Sequence, residues 1–347
     1  MDTFQTIIIG GGQAGLAMGY ALKDQGVSIL IIDENDAIGA AWKMRYESLT
    51  LFTPKKYSQL FDFPLKGNPN AYPSKDEIVD YLNDFQRNYE LPVLLQQKVI
   101  HVNKEKDGLY SVHTLTSSYK ATHLVVATGA FQRPFTPEIH DHSVEQMLHA
   151  STYKNPKQIQ GNKVLIVGAG NSGVQIASEL SKTHQVILSA SKPIKRLPQR
   201  IAGKSLFWWM DVLKINNVSP KSSLGNLLMR NEPLIGDDYK TVKETVTIKG
   251  RLTEFRNGKA YYQSGEVDEV DVVIWATGYR NDYSWLNVEG VLDQEGHAIH
   301  EKGVTPEKGI YFIGLSWQTH RGSALLKGVS FDATRLANII KQELEGK

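Results

Sequence analysis

The chain has 347 residues, of which 41% are apolar and 22% charged, with a formal charge of +2 and no cysteine. That length admits two domains, and so small a charge gives no electrostatic reason to bind nucleic acid. Without cysteine there is no disulfide, no thiolate metal site and no redox-active dithiol, and ten histidines without ligand spacing such as HExxH predict no metal.

The first element is an apolar run, Thr6-Ile7-Ile8-Ile9, followed directly by Gly10-Gly11-Gly12-Gln13-Ala14-Gly15. It reads as a strand, a tight turn and a helix start, the arrangement that cradles a pyrophosphate on free helix N–H groups. Gly10 permits the sharp turn, Gly12 lets the backbone approach the phosphates, and Gly15 lets the helix lie close on the strand. Gln13 and Ala14 stand at the helix start, and Gly26 ends the helix. A buried strand over 28–32 then closes on Asp33 and Glu34, where an acid holds ribose hydroxyls; Asp33 is the better placed. With a strand so near Met1 there is no room for a signal peptide, and no apolar run reaches the ~18 residues of a membrane span. The expectation is a cytoplasmic protein without a transmembrane segment.

Ser74-Lys75-Asp76-Glu77 is a capping box that starts a helix to about Arg87, apolar at Ile78, Val79, Tyr81, Leu82 and Phe85. Short strands follow over 98–102, 110–114 and 124–127. Val99, in the first of them, is a candidate cofactor contact. The third ends on Ala127-Thr128-Gly129, and a matching strand over 272–275 ends on Ala276-Thr277-Gly278. Small residues at a strand end let the chain pass close to a cofactor and cross between domains, so all six are candidate contacts. His140 and His142 read as parts of a polar loop.

A second cradle, Gly168-Ala169-Gly170-Asn171-Ser172-Gly173, follows the strand 164–167 and opens a helix. The next strand, 185–188, ends on Ser189-Ala190-Ser191-Lys192 with no acid, and Lys195, Arg196 and Arg200 follow. An acid would repel a 2′-phosphate, whereas a hydroxyl and a cation accept one. The candidate contacts are Gly168, Gly170, Asn171, Ser172, Gly173, Ser191, Lys192 and Arg196; NADPH is favoured and NADH stays open. Two cradles predict two dinucleotides: a flavin, FAD, that accepts a hydride and a nicotinamide that delivers it.

A strand over 309–314 and a helix from about Ser323 return to the first unit. The expected fold is α/β: two Rossmann-like dinucleotide-binding domains, the NAD(P)-binding one (154–275) inserted into the FAD-binding one (1–153 and 276–347). Residues 203–239, with Trp208, Trp209, Met210 and Leu213, fit neither core. They read as a lid, a dimer contact or a helical insertion with its own small apolar core. A homodimer is only a default.

The chain resembles the flavin-containing monooxygenases, specifically their compact bacterial members, over most of its length. The resemblance is carried by Gly10 to Gly15, Gly39-Ala40-Ala41-Trp42 (a GxxW segment), Tyr72-Pro73-Ser74, both Ala-Thr-Gly turns and Gly168 to Gly173. His149-Ala150-Ser151-Thr152-Tyr153-Lys154 is similar to the second half of the family's FxGxxxHxxx[YF][KR] motif, while Ser143 and Glu145 depart from its first half. The resemblance adds Gly39 and Trp42 to the candidate flavin contacts. It also places Phe52 where animal-type members carry an asparagine beside the reactive flavin. Phenylalanine cannot donate that hydrogen bond, but it can keep water off the flavin face. Trp42, Tyr46, Phe52, Trp208 and Trp317 are candidate cleft residues.

The implied function is an FAD-dependent, NADPH-consuming monooxygenase. It would form a flavin C4a-(hydro)peroxide and oxygenate a small thioether, an amine or a ketone with O₂. Two alternatives remain open: an NAD(P)H oxidase or flavin reductase without a stabilised oxygen adduct, and a nucleotide-sensing accessory of a cation-transport system.

Overall fold

The structure, a computed structural model, describes residues 2–139, 144, 146–230 and 233–346. His140, His142, Ser143 and Glu145 lie outside the described residues.

Two sheets organise the chain. In the first, Asp2–Ile9 runs parallel between Ser118–Val126 and Ile29–Ile32, which pairs in turn with Val93–Leu94. Tyr110–Thr114 and Val99–Lys104 extend it antiparallel from Ser118–Val126, Leu286–Asn287 closes that edge, and Ile310–Phe312 also pairs with Ser118–Val126. The two-residue period of a strand sorts the side chains. Ile8, Ile31 and Val125 join the core on one face; Ile7, Ile9, Leu30, Ile32, Leu124 and Val126 join the core on the other. Both faces are covered, as parallel strands require. The first face is covered by Gln13–Asp24, which packs on Leu326–Leu344 through residues such as Leu16, Leu22, Leu336 and Ile340.

The second sheet runs in the order Thr247–Lys249, Gln185–Ser189, Lys163–Val167, Val272–Trp275, Gln146–His149, all parallel. It repeats the alternation: Val164, Ile166, Val186 and Leu188 face the helix Asn171–Leu180, and Leu165, Val167, Ile187 and Trp275 face an antiparallel ribbon bearing Leu252, Phe255 and Tyr262. The chain leaves the first sheet, builds the second and returns to the first. Gln146–His149 already belongs to the second sheet, ahead of the boundary expected at 154.

The two crossings run side by side. Arg133–Pro134, leaving the first Ala-Thr-Gly turn, pairs antiparallel with Tyr279–Arg280, leaving the second. Gln132 ties them further: its amide donates to Thr128 Oγ1 at 2.9 Å and its carbonyl accepts from Asp282 N at 2.7 Å.

Several element limits differ from the sequence reading. The strand read as 124–127 is Ser118–Val126, because its polar first half pairs with Tyr110–Thr114. The last helix starts at Leu326, not near Ser323, and the strand read as 309–314 is Ile310–Phe312. The capping box is present as read: Ser74 Oγ accepts from Glu77 N at 3.2 Å, and the Glu77 carboxylate accepts from Ser74 N at 2.9 Å.

Candidate cofactor and active site

The two cradles superimpose in their steric logic. Gly10 has φ +110°, and a Cβ there would lie 2.5 Å from the Ala127 carbonyl oxygen; Gly168 has φ +107°, with its Cβ 2.4 Å from the Ala276 oxygen. Each turn glycine therefore sits against the alanine of an Ala-Thr-Gly exit. A Cβ on Gly15 would come within 1.8 Å of Gly10 O, and one on Gly173 within 1.9 Å of Gly168 O. Only hydrogen fits at these four positions. At Gly12 and Gly170 an added Cβ meets nothing within 4 Å. Each of the two is the N-cap of its helix and has no side-chain cap bond. The open side of each turn thus presents uncapped helix N–H groups to free space, which fits a pyrophosphate.

Asp33 closes onto the first cradle. Its Oδ2 accepts from Gly11 N at 2.6 Å, and its Oδ1 accepts from Asn35 N and Nδ2 at 2.8 Å. Glu34 turns outward to Lys98, 3.8 Å away. Val99 is a buried core residue, yet it stands two places after Gln97, whose N–H donates to Asp33 O at 2.9 Å. Gly39 has φ +78°, and its Cβ would press on Val79 Cα at 3.2 Å, so it seats the GxxW segment against the capping-box helix. Trp42 is half-buried against the same core. The Gln13 side chain donates to Ala324 O at 2.9 Å.

Beside the second cradle lies a cavity of about 530 Å³, a size suited to a nucleotide. Gly168, Ser189, Ser191, Lys192 and Thr277 line it, as does Arg251. Arg251 escaped the sequence reading because it comes from a different strand connection. Buried Ser189 brings it there: Ser189 Oγ donates to Gly250 O at 2.9 Å and accepts from Leu252 N at 3.1 Å. Arg196 does not line the cavity; it reaches toward Asp237, 3.6 Å away.

Phe52 lies in an apolar joint. Its ring stacks on Phe207 at 6.0 Å, and Tyr57 meets the same ring at 6.2 Å. Phe207 belongs to Leu206–Val212, within the stretch that fitted neither core. That stretch shares its apolar cluster with Phe52, Tyr57 and Leu325, and it clasps the segment before the last helix. Arg321 NH1 donates to Asn216 Oδ1 at 3.2 Å, and Gly322 N donates to Asn216 O at 3.1 Å. The insertion therefore packs onto the first unit and shares a core with it. Tyr46 is not a cleft residue: it is buried, donates to Gln175 Oε1, and burial pushes its phenol up to about 12.

His149 ties the linker to the second exit. Nε2 donates to Gly278 O at 3.0 Å, while Nδ1 accepts from Ser151 N at 3.1 Å. Burial, and then nearby Arg45, hold it below the usual histidine range, and these two bonds set the ring's orientation.

A chain with two such cradles, joined by paired crossings, is a two-dinucleotide oxidoreductase. Comparison with known proteins narrows this. Residues 7–201 match the family model described as pyridine nucleotide-disulphide oxidoreductase, and residues 191–316 the one described as flavin-binding monooxygenase-like. An uncharacterized CzcO-like oxidoreductase of Geobacillus kaustophilus is 44% identical over 96% of this chain and 97% of its own. The probable indole-3-pyruvate monooxygenase YUCCA7 of Arabidopsis thaliana is 30% identical over 96% of this chain and 86% of its own. A mutant flavin monooxygenase from Stenotrophomonas maltophilia superimposes with TM-score 0.84 at 25% identity, covering 99% of this chain and 100% of its own. The chain belongs to the flavin-containing monooxygenase family. It is a flavoprotein oxidoreductase, and the family's cofactors, FAD and NADPH, are its own. No helix among the described residues is long and apolar enough to cross a membrane.

Proposed function

We propose that the chain is a monooxygenase that holds FAD on the first cradle and NADPH on the second. It would pass one oxygen atom from O₂ to a small thioether, amine or ketone. The observation that carries this reading is the duplication itself: two turns with the same steric closure and the same open N-cap, each backed by an Ala-Thr-Gly exit. In this reading the first sheet carries the flavin unit and the second the nucleotide unit, with junctions near 146–153 and at 276.

Bound FAD supplies hydride acceptance and, once reduced, activation of O₂; the protein supplies position and exclusion of water. The backbone N–H groups after Gly12 and Gly170 hold the two pyrophosphates, and Asp33 takes the ribose hydroxyls. Ser191, Lys192 and Arg251 take the 2′-phosphate, with Arg251 offering the planar fork that Lys192 lacks. Phe52 and Phe207 form an apolar wall that keeps water from the reacting face. Reduced protein mixed with O₂ under stopped flow should pass through a C4a-oxygenated flavin, and a thioether under ¹⁸O₂ should yield labelled sulfoxide. Quantitative release of peroxide with no label in product would make it an NAD(P)H oxidase instead, an outcome that the missing hydrogen-bond donor at position 52 would explain.

A further inference from the structure

Arg45 follows the GxxW helix Ala40–Lys43, in the segment that belongs to the flavin side, yet its guanidinium meets the second cradle. NH2 donates to Ser172 Oγ at 3.2 Å, and NH1 donates to Tyr279 OH at 3.0 Å. Its Cζ lies 4.7 Å from the Phe131 ring centroid and 5.6 Å from that of Tyr279. Phe131 comes two residues after the first Ala-Thr-Gly turn and Tyr279 one after the second. Ser172 is in the first turn of the helix Asn171–Leu180, where the N–H groups are unspent. One arginine therefore stands where the second cradle and both crossings meet.

Its partners are neutral. Among the described residues no ion pair to Arg45 is formed, and its Nε is buried without a hydrogen-bond partner. A half-buried guanidinium with no carboxylate is costly unless an anion completes it. Other cations stand near: burial, then Lys75 and Arg45, hold the Lys154 ammonium below its usual range.

We propose that Arg45 supplies the cation for the pyrophosphate of the nicotinamide dinucleotide seated on the second cradle. A nucleotide on one sheet's unit is thereby gripped from the other's. Such a grip would place the hydride donor as well as retain it. This rests on the reading of the second cradle as the nicotinamide site.

The test uses the FAD-loaded protein, with NADP⁺ and 2′-AMP as probes; the latter keeps the 2′-phosphate but has no 5′-phosphate and so neither half of the pyrophosphate. Arg45→Gln should raise the NADP⁺ dissociation constant about 10- to 100-fold, the loss of charge-assisted bonds to one phosphate pair. It should leave 2′-AMP within about twofold and flavin content unchanged, and Arg45→Lys should recover part of the loss. NADP⁺ affinity within twofold of wild type in Arg45→Gln overturns the proposal. So does an equal loss for both probes, because that marks general damage to the site. Failure of wild-type protein to bind either probe sinks the nucleotide-site reading itself, which separates the two.

Discussion

Gly12→Ala separates cofactor binding from folding, because Gly12 contributes to the cradle without being locked into the fold. Its φ is −76° and ψ −168°, an extended conformation that alanine adopts freely, and an added Cβ meets nothing within 4 Å. Alanine is a poorer N-cap than glycine by roughly 0.5–1 kcal/mol, and it removes about 0.4–1 kcal/mol of unfolded-state freedom. The two nearly cancel, so apoprotein stability should change by less than about 1 kcal/mol. The methyl nevertheless enters the space assigned to the pyrophosphate. Displacing the phosphates from one or two N–H donors costs about 1.5–3 kcal/mol each, or roughly 10- to 10⁴-fold in flavin affinity. Gly15→Ala is the contrasting case. Its Cβ would stand 1.8 Å from a backbone oxygen that cannot yield, so the fold itself should lose more than about 3 kcal/mol. The assays are flavin-to-protein absorbance after purification and thermal melting of apoprotein. Full flavin retention in Gly12→Ala would refute the reasoning, as would an apoprotein that melts as low as Gly15→Ala.

Arg251→Ala should raise the KM for NADPH about 10- to 100-fold and leave that for NADH within about twofold, since only the former has the 2′-phosphate; steady-state kinetics with both donors reads the ratio. His123, His149, His300 and His320 are all held below the usual histidine range, chiefly by burial. Below about pH 6.5 the unfolded chain binds protons that these folded rings refuse, so stability should fall as pH drops from 6.5 toward 5 and stay level above 7. Thermal melts across that range check the sign. Ser74→Ala removes the cap on Glu77 N and should cost about 1 kcal/mol, read as a melting shift of roughly 2 °C.

What the sequence disclosed was local. Each cradle lies in one continuous strand-turn-helix unit, so its spacing is visible in a dozen residues, and the capping box is legible for the same reason. What it hid comes from afar. Arg251 reaches the cavity beside Ser191 because Ser189 staples a distant connection there, and Arg45 meets Ser172 across a separation of 127 positions. No periodicity encodes such meetings. Arg196 shows the opposite: near in sequence, it is drawn off by Asp237. Tyr46 shows that an aromatic near a motif is more often core than cleft. The insertion was undecidable because its apolar face is completed by Phe52, Tyr57 and Leu325, none of them close in sequence.

The visible spectrum of the purified protein, recorded anaerobically before and after NADPH, tests the account most directly. It should show about one oxidised flavin per chain that bleaches on addition of NADPH. A colourless protein that takes up no FAD on reconstitution, or a bound flavin that NADPH leaves oxidised, would contradict it.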